Sequence, residues 1–551
     1  MGNRKKRNSF IIQGSILAFA GILVRVIGLI YRIPLNRILG EGGMGYYSTA
    51  FEIYNVLILL SSQSMPLAVS KIVSEKLQKR QYKNAHKVFK GAMIYGTILG
   101  VVFGLLAFFG ADWISVKIYK LPQVAIALRV LAPTLTVACI LGVLRGYFQG
   151  MGNMIPTSVS QIFEQIVNAV VSIIAAYELG AYGYSLSKIT SEAETYQASY
   201  SAAGGTLGTL CGALAALFFM FFILYINYGY ISRKIRKAPR TRTDSYGTIT
   251  KVILFTITPV LISTTIYNIG NLLDNPIFQN IMHSVFHVKE ETRNALYGNY
   301  AGIYRTLTTM PIAIASALST AIVPSLVRSY IAGDKSIVKE KIEMALKFSM
   351  IIAFPCGMGL SVLGVPINSL LFGSKGDGAA SMMIFSVFTV IAFSLSTISN
   401  AILQGIDKLK VPIKNSAISL GIHLIVLPCL LILFKLDIYA VVIGDILFGA
   451  TVSVLNAFSI KRYLNYKQDM RETFLKPLIC SGVMGIVCFG IFRLFMFISG
   501  INAISTLMAV LSAVIVYGVM LIFTRTITEN ELSAIPKGEV FIRILKKIHI
   551  L

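Results

Sequence analysis

A chain of 551 residues that is 55% hydrophobic and only 13% charged does not read as a water-soluble protein, since globular domains carry about 25% charged residues. The formal net charge of +26 would suggest a nucleic-acid partner in a soluble chain. No hydrophilic domain is present to carry that function, so nucleic-acid binding is excluded and a polytopic, all-α membrane protein is expected.

A helix needs about 20 apolar residues to cross a bilayer. Fourteen stretches qualify: 10–31, 46–70, 88–110, 121–145, 155–178, 203–230, 250–274, 296–327, 345–372, 379–404, 411–434, 438–460, 475–498 and 501–524. Arg4-Lys5-Lys6-Arg7 precedes a first run too long for a secretory signal, and no small-residue cleavage site follows it. That run is expected to stay as an anchor. Of the 50 Lys and Arg, 37 fall on the connections of one face and 9 on those of the other. The remaining four, Arg25, Arg129, Arg305 and Arg493, lie inside spans. This bias predicts a cytoplasmic N-terminus and a cytoplasmic C-terminus, and it places the net charge where anionic lipid attracts it. The segment 178–203, with Glu178, Glu192 and Glu194, reads as the longest outside connection and as a mobile one.

An internal repeat emerges on comparing the chain with itself. Gln149-Gly150 matches Gln404-Gly405, Ala68–Val73 matches Ile322–Val327, and Tyr47 matches Tyr300, at offsets of 255, 254 and 253. An even number of spans between copies makes them parallel, which predicts two six-helix halves with the substrate between them. The expected divisions are 1–230, a basic linker at 231–251, 252–460, a pair of extra helices at 461–526, and a tail from 527. Within the tail, Val540, Phe541, Ile544, Leu545 and Ile548 share one helical face, as in a helix lying in the membrane interface.

Catalytic signatures are missing. There is no GxxxxGK[ST] loop, no HExxH pattern and no nucleophile elbow. The six cysteines fall within apolar runs without metal-ligand spacing, so neither a disulfide nor a metal site is expected. His423, alone among the histidines within a span, reads as a satisfied interior residue. Asp274, at a span end, reads as solvated. The chain is not expected to be an enzyme.

The chemistry rests on arginine. Arg25 and Arg32 are two helical turns apart and project from one face of the first helix; Arg37 follows. Arg305 lies in the eighth span, in the other half. Charge in hydrocarbon is costly and normally faces a wet cavity or a partner. Arginine suits phosphate because its planar fork donates paired hydrogen bonds and keeps its charge. Arg25, Arg32 and Arg305 are therefore candidates for holding a phosphate or pyrophosphate. The alternative for each is snorkelling to an interface or neutralising a buried acid, and Arg129 and Arg493 suit that alternative better. Glu52, Glu164 and Asp445 are the intramembrane acids, read as partners of these cations or as a seat for a coupling cation.

The stretch VRVIGLIYRIPLNRILGEGG, a second span ending in SMPLAVSKIVSE, and LRGYFQGMGNMIPTSVSQIFEQIVN after the fourth resemble the MurJ-type and SpoVB/YtgP-like flippases. These belong to the multidrug/oligosaccharidyl-lipid/polysaccharide exporter superfamily, whose fold also serves the MATE drug exporters. The resemblance implies translocation of an undecaprenyl-pyrophosphate-linked saccharide, lipid II foremost, across the bacterial plasma membrane. It matches Arg25 and Arg37 to two arginines of the family's first-helix motif, Arg32 to a third with a one-residue shift, and Arg305 to the corresponding part of helix 8. The family's arginine in helix 2 has no counterpart, Val56 to Leu60 being apolar. Some members use an acidic sodium site between helices 7 and 11; here helix 11 offers Asn415 and His423. Sodium, protons or the membrane potential remain alternatives for driving the cycle. The extra helices 13 and 14 would hold the polyprenyl tail, and a monomer would suffice. The rival substrates are another polyprenyl-linked saccharide (teichoic, capsular or sporulation-related) or an organic cation, though a cation exporter should present acids in helix 1.

Overall fold

The computed structural model describes residues 2–63, 65–187, 193–236, 245, 247–248, 250–252, 255, 272–373 and 377–526, without the side chains of 2–15, 18, 22, 187, 193, 318–325 and 377. Every regular element among them is helical. In order they are α1 (Gly2–Ser61), α2 (Met65–Gln78), α3 (Tyr82–Trp113), α4 (Val124–Gly150), α5 (Ile155–Ser187), α6 (Ala193–Arg236) and α7 (Glu290–Gly298). A π-helical turn, Asn299–Tyr304, then leads into α8 (Arg305–Ile331), α9 (Lys335–Val362), α10 (Gly364–Phe372) and α11 (Asp377–Ala380). The last are α12 (Ser386–Gly405), α13 (Lys410–Ile432), α14 (Ile438–Leu464), α15 (Lys476–Ser499) and α16 (Asn502–Phe523). Residues 272–284 are also helical.

Among the described residues, 11 helical runs are long and apolar enough to cross a membrane. One of them, Phe19–Gln78, takes in residues 19–31 of the first expected span and all of the second. The expected span 296–327 corresponds to the π turn and α8. Most of 250–274, residues 237–244, 246 and 249 of the linker, and the whole tail from 527 lie outside the described residues.

The helix breaks differ from the sequence expectation, and glycine and proline explain where they fall. Residues 32–45, expected as a connection, are helical, and α1 bends at Gly40 (φ 68°), a conformation that costs a side-chain-bearing residue energy. The expected span 46–70 divides between Ser61 and Met65. Pro66 there biases the residue before it away from helix. The expected span 345–372 divides at Leu363, where Gly364 lies so close to Met383 that a Cβ would fall 2.3 Å from its side chain. The segment 178–203 is not an extended loop: α5 runs to Ser187 and α6 starts at Ala193.

The chain forms two compact units, Met1–Gly298 and Asn299–Leu551. In the first, α5 and α6 pack lengthwise, with a Cβ on Gly204 placed 2.2 Å from the Ala175 carbonyl oxygen. Small residues substitute for the hydrophobic effect in lipid by allowing such backbone approach. Two apolar clusters fill this unit, one around Leu35, Tyr47, Leu121 and Leu131, the other around Val69, Val88, Val143 and Met220. In the second unit α12 packs against α8, α9 and α14, and α15 pairs with α16.

The repeat is written into the backbone turns. After α4, Met151, Gly152 and Asn153 donate to the carbonyls of Tyr147, Gln149 and Phe148; after α12, Ile406, Asp407 and Lys408 donate to Ile402, Gln404 and Leu403. These are the same bonds shifted by 255 residues. The turns after α2 and α8 also share one pattern, with Arg80 and Gly333 each at positive φ. Lys120 and Gly373, again 253 apart, do likewise.

Candidate functional site

Arg25 lies on α1 with its side chain exposed. It has no hydrogen-bond or ion-pair partner among the described residues. No bend separates it from Arg32, so the two sit about 10 Å apart along one helical face. Arg32 is half-buried beside Tyr31 and within electrostatic reach of the Tyr47 hydroxyl. The Asn168 amide on α5 donates to Tyr31 Oη at 3.4 Å, and Ser172 Oγ donates to Asn168 Oδ1 at 2.9 Å. Arg37 is exposed beyond this cluster. In the second unit Arg305 opens α8, half-buried, directly after the π turn.

The acids have identifiable neighbours. Glu164 pairs with Arg145 at 2.6 Å, and Arg145 Nε also donates to Ser160 Oγ at 3.0 Å. Arg145, counted from sequence in a cytoplasmic connection, is therefore the cation that neutralises Glu164. Glu52 is buried on α1, where it accepts from Tyr297 Oη at 2.7 Å and from the Asn275 amide at 2.9 Å. The same amide also reaches Thr49 Oγ1 at 2.9 Å. Asp445, buried on α14, accepts from Tyr300 Oη. Asp274, expected in solvent, is buried.

The remaining intramembrane cations contact neighbouring side chains. Arg129 pairs with Asp112, and Arg493 lies over the Phe489 ring at 5.2 Å. His423 is buried, with Nδ1 3.0 Å from the Gly444 carbonyl and an edge-on contact to Phe448. Asn415 bridges to Asn456 at 2.8 Å, and Asn456 in turn reaches Ser399 at 2.9 Å and Asn400 at 2.8 Å. This amide network ties α12, α13 and α14 together, as polar side chains do between helices in lipid.

Sequence reasoning missed Arg145, Asn275 and the tyrosines. Tyr297, Tyr300 and Tyr304 recur three and four apart, which was a readable signal of one decorated face. Arg145 and Asn275 gave none, because their partners lie on other elements.

A family model described as polysaccharide biosynthesis protein matches residues 12–330. The chain belongs to this family. It is 24% identical to the lipid II flippase MurJ of Bacillus subtilis (strain 168) over 497 residues, covering 87% of this chain and 88% of the relative. It is 23% identical to stage V sporulation protein B of the same organism over 538 residues, covering 96% and 98%. Among solved structures, an inward-closed lipid II flippase MurJ aligns with TM-score 0.65 at 16% identity, over 92% of this chain and 98% of that one. An inward-facing MATE transporter of the MOP superfamily aligns with TM-score 0.67 at 14% identity, over 83% and 98%. With its membrane-spanning helices and this likeness, the chain is a multi-pass membrane protein with the fold of those solved structures.

Proposed function

We propose that this protein is a flippase that moves a lipid-linked pyrophosphate saccharide, lipid II in the first place, from the cytoplasmic to the outer leaflet by alternating access. The observation that carries this reading is Arg25: a guanidinium within an apolar helix, exposed, and unpartnered among the described residues. Lipid would make such a charge costly, whereas a water-filled path bearing a phosphate would use it. Arg32 on the same face and Arg305 in the second unit complete the proposed anion set, with Arg37 at its outer edge. Glu52, Glu164 and Asp445 act as supporting acids, Glu164 by holding Arg145. The helical pair α15 and α16 takes the polyprenyl tail, and both termini are cytoplasmic. A monomer suffices, and the membrane potential or a sodium or proton gradient drives the cycle, since moving charge through the field does work.

A second reading, transport of a sporulation-related wall precursor, is favoured by the near-complete coverage of stage V sporulation protein B. One experiment separates the two. Depletion of this protein from its host is expected to leave lipid II accumulated in the inner leaflet, and Arg25→Ala or Arg305→Ala is expected not to relieve that accumulation despite normal membrane insertion. Accumulation of a different polyprenyl-linked saccharide moves the substrate to the second reading. Full transport by both variants removes the arginine mechanism.

A further inference from the structure

The residues 272–298 follow the seventh span and, by the repeat, belong to the second copy, since Tyr300 is the counterpart of Tyr47. Yet they are part of the first compact unit. Besides the bonds from Asn275 to Thr49 and Glu52 and from Tyr297 to Glu52 within the expected span 46–70, they meet three segments that the basic-residue count assigns to the outer face. At the bend of α1, Tyr46 Oη donates to Glu290 at 3.1 Å and the Asn294 amide donates to the Gly42 carbonyl at 2.7 Å. At the turn between α3 and α4, the Asn280 amide donates to the Ile118 carbonyl at 2.6 Å, and Arg293 Nη2 donates to the Lys120 carbonyl. At the start of α6, Thr195 Oγ1 donates to Glu291 at 3.1 Å.

We infer that 272–298 is a releasable clasp, bonded to the first unit in this state and freed from it when the outer end of the transport path opens. Three features suit release. The bonds are polar, and water can replace each of them. The backbones meet across glycine: a Cβ on Gly45 would fall 2.3 Å from the Asn294 carbonyl oxygen, and one on Gly298 would fall 2.2 Å from that of Glu41. Finally, Arg293 is buried with Nε and Nη1 unpartnered among the described residues. Opening would hydrate those two donors, so the closed clasp holds part of the drive for its own release.

The inference rests on the alternating access proposed above, and its test has two independent arms. In a cysteine-free background, Thr195→Cys with Glu291→Cys, joined by a short reducible bifunctional thiol reagent, is expected to lose translocation of an undecaprenyl-pyrophosphate-linked saccharide in proteoliposomes at least tenfold. Reductant is expected to restore it. Undiminished transport by the joined protein overturns the clasp. The second arm needs no substrate. Met282→Cys, at a buried position, is expected to react with an impermeant maleimide at least tenfold faster once Gly298→Ala pries the backbones apart; an unchanged rate overturns the clasp. Should the unjoined pair fail to transport any lipid-linked saccharide, the flippase reading falls and the labelling rate alone decides the clasp.

Discussion

Arg145 and Glu164 form an ion pair whose side chains are 14% and 29% exposed, so neither charge is well solvated if the other is removed. Glu164→Gln is expected to cost about 2 kcal/mol, below the roughly 3–5 kcal/mol of a fully buried broken pair because water reaches part of it. Replacing both residues with Met should recover most of that loss; thermal unfolding in detergent measures both. Arg25 should behave in the opposite way. With no partner among the described residues to leave behind, Arg25→Ala should melt with the wild type while transport fails, and Arg129→Ala should keep transport. Arg25 was conspicuous in the sequence because a charge stands out in an apolar run. The role of Arg145 was not, because its acid lies on the next helix and one sequence carries no record of which residues meet.

At the scale of elements, the paired turns after α4 and α12 give a controlled comparison. Gly152 holds φ 81° with nothing near the position of a Cβ, so strain alone opposes a side chain there. Gly152→Ala should destabilise by about 1 kcal/mol, the usual cost of that backbone region. Asp407 already bears it at φ 61°, so Asp407→Gly should be neutral or gain a few tenths of a kcal/mol, the relieved strain being largely offset by the greater entropy glycine loses on folding. Melting temperatures of the two variants test both signs. The helix interiors and the repeat were legible because hydropathy and offset are properties of the chain itself. The breaks at Gly40 and Leu363 were harder to place, because glycine and proline mark many positions and tertiary contacts choose among them. The helical flanks of the 178–203 segment escaped notice because their polar residues do not lower helix propensity enough to end α5 or delay α6.

For the whole molecule, the basic-residue bias predicts which connections face the cytoplasm. The turns after α4 and α12 carry Lys408, Lys410 and the end of the Arg145 helix, and cysteine at Lys408 should react with impermeant thiol reagents only from the cytoplasm. Cysteine at His287, an exposed turn residue, should react only from outside. Labelling both from one side would invert the orientation and remove the proposed direction of transport. The π-helical turn at Asn299–Tyr304 adds a different kind of consequence. Such a turn stores one more residue than an α-helix needs over the same length. Elsewhere in a membrane span, losing a residue spins everything downstream by about 100°. Here the surplus can absorb the loss, so a chain shortened by Ala301 should still insert at wild-type yield, with Arg305 kept in its bearing and drawn one step nearer the start of its helix.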